Sequence, residues 1–335
     1  MASKEMSRRV TAMQEEKKKL LAKIAYLYYV EEKTQNEISK ELNIYRTTIS
    51  RMLKLAQTEG IVKIQIEGIN SEIFSLEQYV KRKYQLKQLE LVPMEQGDTN
   101  EEKDRRLSQA AGYFIKRNIE ANTIIGVSWG ATLGNAISCI ENRRIENTTV
   151  VPIVGGPSHI NSQFHVNTLV YELARKFNGK SVFVNATVVQ ETKKLKNGIF
   201  ESKYFEELKA YWQRLDTAIV GIGGPLSLKK SQWRDLLTEE DIEELKLREA
   251  IGDCCCRFFD RDGKILTGSL YERTIGLDLT ELAKVPNAIG IARGKAKARA
   301  ILAMLKRGYI HSLVTDQETI LEVLRFDKDT AFLSD

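Results

Sequence analysis

No uninterrupted apolar run in the chain approaches the roughly 18 residues a membrane-spanning helix needs, and the N-terminus lacks the apolar stretch of a signal peptide. A cytoplasmic protein is therefore expected, with no membrane among its partners. Cysteine is scarce: Cys139 stands alone, and Cys254, Cys255 and Cys256 are consecutive. There is no CxxC pair and no histidine at ligand spacing, so a metal site is not expected. Read as part of a strand, the three adjacent thiols point to alternate faces and cannot converge on one ion; burial is their expected role. His159, His165 and His311 are scattered and support no nucleophile–base pair. The first two are expected on loops or at the surface, with a place near a ligand as the alternative. GxGxxG and Walker A sequences are also absent, which argues against dinucleotide and nucleoside triphosphate cofactors; none is expected.

What is present begins with QNEISKELNIYRTTISRMLK, residues 35–54, which has the spacing of a helix-turn-helix. Ile38, Leu42, Ile44, Ile49 and Met52 supply apolar inner faces, and Ser39 supplies the small residue where two helices approach. Asn43 occupies the turn, where a left-handed backbone is needed and asparagine tolerates it. Tyr45, Arg46, Thr47, Thr48, Ser50 and Arg51 are left outward on or just before the second helix, with Gln35 opening the first. The N-terminal end of such a second helix enters a major groove, where arginine bridges two guanine acceptors and hydroxyls reach bases or phosphates. The plainer reading, a hairpin that only packs on another domain, has to explain every constrained position by chance. Upstream, Leu20, Ile24, Leu27 and Tyr28 form one stripe at helical spacing and predict a supporting helix. Downstream, Gly60 ends the second helix, and Val62, Ile64 and Ile66 alternate with Lys63 and Gln65 as in the strand of a wing.

Charge follows the same division. Residues 1–90 carry 17 lysines and arginines against 12 acidic residues, so +5 of the chain's +6 lies there. That excess suits phosphate contacts to double-stranded DNA, which are salt-sensitive. At 335 residues the chain accommodates a small DNA reader and one large core. The expected organisation is a flexible tail over 1–16, the helix-turn-helix domain over 17–68, a linker helix within 69–88, and an effector and oligomerisation domain over 89–328.

That last region reads as alternating strands and helices. Strands are predicted at 89–93, 123–128, 149–155, 181–186, 217–223, 288–292 and 312–316, with helices at 104–117, 164–177, 204–214 and 295–306. The order implies crossover connections and an α/β fold with a mainly parallel sheet, whose ligands bind beyond the carboxyl ends of the strands. Glycine-rich loops follow three strands: Gly126-Val-Ser-Trp-Gly-Ala-Thr132, Gly155-Gly156 and Gly221-Ile-Gly-Gly224. The first exposes backbone N–H groups at a helix start beside the Ser128 and Thr132 hydroxyls, which are the requirements of a phosphate cradle. Tight turns also need glycine, so the loops alone leave both readings open.

Several blocks carry a resemblance: LYYVEEKTQNEISKELNIYRTTISRML with GIVKIQI, GVSWGATL, VVPIVGG, AIVGIGG, AIGDCCCRFFDRDGKIL, ERTIGLDL and ARGKAKARAILAMLKRGYIHSLVTD. In these blocks and their order the chain resembles the SorC/DeoR-type sugar-responsive transcriptional regulators, over about residues 20–325. The resemblance implies a winged helix-turn-helix joined to a Rossmann-like, phosphosugar-isomerase-like effector domain. It further implies a homo-oligomer, a tetramer built as a dimer of dimers, that represses or activates a sugar-catabolic operon. A phosphorylated sugar would be the effector. By position it implies that Ser128, Trp129, Gly130, Ala131, Thr132 and Leu133 hold the phosphate; Gly126 in the same loop, and Gly155 and Gly156, are candidates from the glycine-loop reading. Asp253 would accept from sugar hydroxyls and Lys297 would complement the anion, with Arg273 a weaker candidate. The chain departs from the family pattern in having Arg293-Gly294 where paired glycines are common. Val154 before Gly155 supplies no amine for a Schiff base, so a noncovalent ligand is expected and no catalytic residue is assigned. Two other readings compete: an isomerase-like enzyme with an appended DNA reader, using Asp253 as base and Lys297 as electrostatic stabiliser, and a constitutive DNA-binding protein whose large domain only oligomerises.

Overall fold

The computed structural model describes residues 2–62, 70–95, 97–157, 162–227 and 237–333. The chain divides into two compact units, Met1–Asn70 and Ser71–Asp335.

The first unit holds α1 (Ala2–Tyr29), α2 (Gln35–Leu42) and α3 (Arg46–Thr58). Residues 2–16 of the expected flexible tail lie within α1, because the stretch from Ala2 onward contains neither glycine nor proline and is rich in strong helix formers. Thr34 starts α2 with a capping box: its hydroxyl accepts from the Glu37 N–H at 3.3 Å, and the Glu37 carboxylate accepts from the Thr34 N–H at 2.8 Å. Asn43 closes α2 at φ 54°, in the left-handed region the turn requires. Ser39 does more than make room, since its Oγ donates to the Ile44 carbonyl at 2.6 Å and locks the turn. Ile24, Leu27, Ile38, Ile49 and Leu53 are buried together, with Leu20, Tyr28, Leu42, Ile44 and Met52 packed around them. Every apolar position read from the helix-turn-helix spacing therefore reaches one core. Gly60 follows α3 at φ 70°, where an L side chain is strained. Of the expected wing strand, Lys63–Ile66 lie outside the described residues.

The second unit is built on a seven-stranded parallel sheet. Its strands are β1 (Gln88–Val92), β2 (Ile124–Val127), β3 (Thr149–Pro152), β4 (Lys180–Ser181), β5 (Thr217–Gly221), β8 (Asn287–Ile291) and β9 (Ser312–Asp316), while β6 (Gly252–Cys254) and β7 (Arg257–Phe259) form a separate hairpin. The helices are α4 (Ser71–Lys83), α5 (Asn100–Asn118), α6 (Ala131–Ser138), α7 (Val166–Phe177), α8 (Lys193–Phe200), α9 (Lys203–Trp212), α10 (Glu239–Leu247), α11 (Ser269–Arg273), α12 (Leu279–Leu282), α13 (Ala298–Lys306) and α14 (Gln317–Phe326). The strand order is β1-β9-β8-β5-β2-β3-β4. From β2 the chain runs outward to β3 and β4; β5 then returns to the other side of β2 and leads to β8 and β9. The β2/β5 boundary is thus the topological switch point, where an open α/β sheet leaves a crevice beyond its carboxyl ends.

Three features differ from expectation. The strand expected over 181–186 pairs only at Lys180 and Ser181. Beyond it, Asn167 on α7 takes the role of a neighbouring strand, donating to the Val184 carbonyl at 2.9 Å and accepting from the Val184 N–H at 3.0 Å. The helix expected as a linker, α4, belongs to the second unit's core through Ile73, Leu76 and Val80. Of the three consecutive cysteines only Cys254 is in a strand; Cys255 and Cys256 form the two-residue turn of the β6–β7 hairpin, both at positive φ (50° and 58°). A two-residue hairpin needs left-handed residues there to match the strand twist, so turn geometry overrides the alternation a continuous strand would show. All three remain buried.

Candidate functional site

On the first unit the DNA-reading candidates are grouped by the start of α3. Tyr45, Arg46, Thr47, Ser50 and Arg51 are exposed, Tyr45 at 85%, while Thr48 and Gln35 are half-buried. Tyr45 precedes α3 without a side-chain cap, so the first N–H groups of α3 have no capping side chain over them. Exposed arginines and hydroxyls beside open N–H groups at one helix start form a face suited to phosphates and base edges.

On the second unit the sheet brings four loops to its carboxyl edge. After β2, Ser128 is buried; its N–H donates to the Ile219 carbonyl at 3.1 Å, and its Oγ accepts from the Gly221 N–H at 3.4 Å. The loop is thereby pinned across the switch point to β5. Gly130 adopts φ 130° and precedes α6 with no side-chain cap, leaving the N–H groups of Ala131, Thr132 and Leu133 as the helix's open first turn. Trp129 is held to the next strand by its indole N–H, which donates to the Gly155 carbonyl at 3.0 Å. After β3, Gly155 and Gly156 run between two extended segments, bonding to the Ile275 and Ala186 carbonyls. A Cβ on Gly155 would fall 2.7 Å from the Thr187 carbonyl oxygen, so backbone approach demands glycine there. After β5, Gly223 faces Asp253: a Cβ would lie 2.0 Å from the carboxylate oxygen, and the Gly223 N–H donates to the Asp253 carbonyl at 2.7 Å. Asp253 itself is buried, on β6. After β8, a 3₁₀ turn, Lys295–Lys297, carries Lys297 into α13.

Three of the expected site residues are accounted for by packing. Gly126 lies inside β2 with Ile153 and Leu215 pressed against it, and the Leu133 side chain is in the core, so only its N–H is available to a ligand. Arg273 is committed elsewhere. Its Nη2 donates to both carboxylate oxygens of buried Asp241 at 2.7 and 2.8 Å, Nη1 donates to the Gln190 carbonyl at 3.0 Å and Nε to the Ser269 hydroxyl at 3.3 Å, which fixes the segment after α11 and leaves the guanidinium little to offer a ligand.

His165, expected on a loop or at the surface with a place near a ligand as the alternative, is half-buried at the cap of α7, with its ring against Gly156; His159 lies outside the described residues. A Cβ on Gly156 would come within 2.4 Å of His165 Nε2. Nδ1 accepts from the Asn167 N–H at 3.2 Å, so in the neutral ring Nε2 carries the proton on the side facing the glycine loop. Burial holds the imidazole below its usual pKa. The helix predicted over 164–177 includes His165, whereas the structure starts α7 at Val166 and leaves His165 as its cap. Among the described residues, concavities lie elsewhere, including a water-sized one around Arg257 and Tyr271 and an open one of about 550 Å³ beside Leu195 and Tyr204. Among the described residues no helix is long and apolar enough to cross a membrane.

A helix-turn-helix unit followed by a doubly wound α/β unit, with glycine-rich loops at the carboxyl edge of its sheet, is the organisation of a transcription regulator that carries a separate sensing domain. The chain belongs to the sugar-binding domain family of SorC-type regulators, whose model matches residues 70–325. It is similar to the sorbitol operon regulator of Klebsiella pneumoniae, 36% identical over 90% of this chain and 96% of that one. The crystal structure of that full-length regulator, SorC, has a TM-score of 0.73 and covers 92% of this chain and 99% of its own. A transcriptional regulator from Streptococcus pneumoniae TIGR4 is 45% identical with a TM-score of 0.75, over 78% of this chain and 99% of that chain. The deoxyribonucleoside regulator of Bacillus subtilis strain 168 is 27% identical over 92% of this chain and 97% of that one.

Proposed function

We propose that this regulator controls a carbohydrate-catabolic operon, that a phosphorylated sugar bound at the carboxyl edge of the sheet sets its affinity for operator DNA, and that it is not an enzyme. The observation that supports the reading is that four loops leave the same carboxyl edge of the sheet, at and beside the switch point: the open α6 start with Ser128 and Thr132, the Gly155-Gly156 segment, Gly223 with Asp253, and the turn bearing Lys297. Main-chain donors and a lysine suit the phosphate, and a buried carboxylate suits sugar hydroxyls. The relatives named for sorbitol and deoxyribonucleoside regulation support a carbohydrate operon. The protein works in the cytoplasm as a tetramer, a dimer of dimers, since two-fold operators are read by paired helix-turn-helix units. The ligand controls DNA affinity only so far as it binds the two conformational states unequally.

The test is fluorescence anisotropy of the protein on labelled DNA from upstream of its own operon, at fixed salt, across a panel of sugar phosphates. Tight binding shifted by one compound is expected, with the shift lost in Ser128→Ala and Lys297→Ala while operator affinity persists. Operator binding that no compound alters supports the constitutive reading instead, and turnover of a sugar phosphate by the purified protein would revive the isomerase-like one.

A further inference from the structure

The turn that carries Lys297 is braced from two sides by groups that belong to other helices. Arg293, two residues past the end of β8, has a side chain only 11% exposed. Its Nε lies 2.5 Å from an Asp104 carboxylate oxygen, one terminal nitrogen donates to the Asn100 carbonyl at 2.7 Å, and the other lies 3.8 Å from the Asp316 carboxylate. Asn100 and Asp104 are in the first turns of α5. Asp316 is the cap of α14, buried, and accepts from the Thr319 N–H at 2.6 Å. The next residue, Gly294, at φ 105°, donates its N–H to the Thr319 hydroxyl at 2.7 Å, and its carbonyl accepts from the Lys297 N–H at 2.8 Å. Thr319 is fully buried. Arg293, Gly294 and Lys297 therefore form one short path whose beginning is fixed to the starts of α5 and α14.

We propose that Arg293 is a positioning residue for the effector site: by bridging α5 and α14 it fixes the Gly294–Lys297 turn and so sets where Lys297 meets the ligand's phosphate. The inference rests on the effector reading above. The chemistry favours arginine over lysine, because a planar fork donates to Asp104 and the Asn100 carbonyl while its third nitrogen faces the Asp316 charge, whereas an ammonium on a flexible stem does not hold these groups in a fixed geometry. The pairing with Asp104, an exposed partner, contributes little to stability. What the bridge supplies is geometry, and a binding constellation loses function when its supporting contacts let it drift by about an ångström.

A double-mutant cycle on the full-length protein tests it, with fructose 6-phosphate and inorganic phosphate as calorimetric probes and thermal melting recorded for each variant. Arg293→Ala and Lys297→Ala are each expected to weaken probe binding by about tenfold or more, the scale of one charge-assisted contact. Because Arg293 acts through Lys297, the double variant should bind no more weakly than Lys297→Ala alone, with operator affinity unchanged throughout. If Arg293→Ala does not melt cooperatively, the near-isosteric Thr319→Val, which removes only the anchor of Gly294, takes its place in the same cycle. Unchanged probe affinity in the Arg293 or Thr319 variant, or an equal further loss on top of Lys297→Ala, overturns the proposal and leaves the effector site standing. A wild-type protein that binds neither these probes nor any other member of the sugar-phosphate panel, or a Lys297→Ala that binds as wild type does, removes the effector reading and this inference with it.

Discussion

Burial holds the imidazoles of His165 and His311 below the ordinary value of 6.5, and in His311 the nearby Lys87 charge adds to the effect. In the unfolded chain both return to the ordinary value, so between the two pKa values the unfolded state binds more protons. Their contribution to stability is complete above about pH 6.5 and is lost as the pH falls through that value toward the folded pKa. Thermal melting across the window from about pH 7.5 to 5.5 should show a falling midpoint, with a shallower slope in His165→Gln. A flat profile in the wild type would contradict the burial of these rings. The position of His165 could not be read from the sequence, because its role depends on Gly156, in another element; the approach of ring to glycine is created by the packing of α7 against β3. Asp253 and Gly223 make the same point, since only the β6–β7 hairpin brings that carboxylate to the end of β5.

At the level of elements, the helix-turn-helix was legible because its determinants are local. Asn43 must adopt a left-handed backbone three residues before α3 begins, and its short amide makes that tolerable. Replacing it by alanine should destabilise the first unit by about 1 kcal/mol, and replacing it by glycine should stabilise it by a few tenths or more. Helix content followed by circular dichroism during urea titration measures both; an alanine variant as stable as the wild type would show that the turn does not constrain the pair. Where tertiary contacts compete with local pattern, the element reading fails. Val182, Val184 and their neighbours have the composition of a strand, yet the Asn167 amide satisfies the Val184 backbone from one side, and the Tyr204 hydroxyl bridges the Phe183 carbonyl and the Asn185 N–H at 2.8 Å each. Both devices occupy the hydrogen-bonding groups of what would otherwise be an open sheet edge.

Across the whole molecule, the second unit is closed by contacts between its first helix and its last residues. Lys83 on α4 pairs with Asp327 at 3.0 Å and Asp329 at 2.5 Å, Tyr79 donates to Asp329 at 2.6 Å, Tyr84 donates to Asp327 at 2.8 Å, and the Tyr79 ring packs on Phe332. Hydrogen bonds from Lys83 and then Tyr79 pull the Asp329 carboxyl down to about 2. A carboxylate so depressed contributes stability that is present above the unfolded value of 3.8 and lost as the pH falls through the folded one. At neutral pH, Asp329→Asn should lower the melting midpoint by about 2–4 °C, with the difference from wild type shrinking below about pH 3. A midpoint that does not move would mean the clasp contributes nothing to closure.

Helical periodicity, capping residues and the order of apolar runs are set by neighbours within a few positions, so the sequence alone determined the DNA-reading unit, the α/β alternation and the glycine loops at strand ends. The strand order, the switch point between β2 and β5, the commitment of Arg273 to Asp241, the place of His165 and the bracing of Lys297 by Arg293 all join residues far apart in the chain. Such pairings leave no local periodicity, because they depend on which surfaces pack together once the core has formed; the tertiary structure alone decided them.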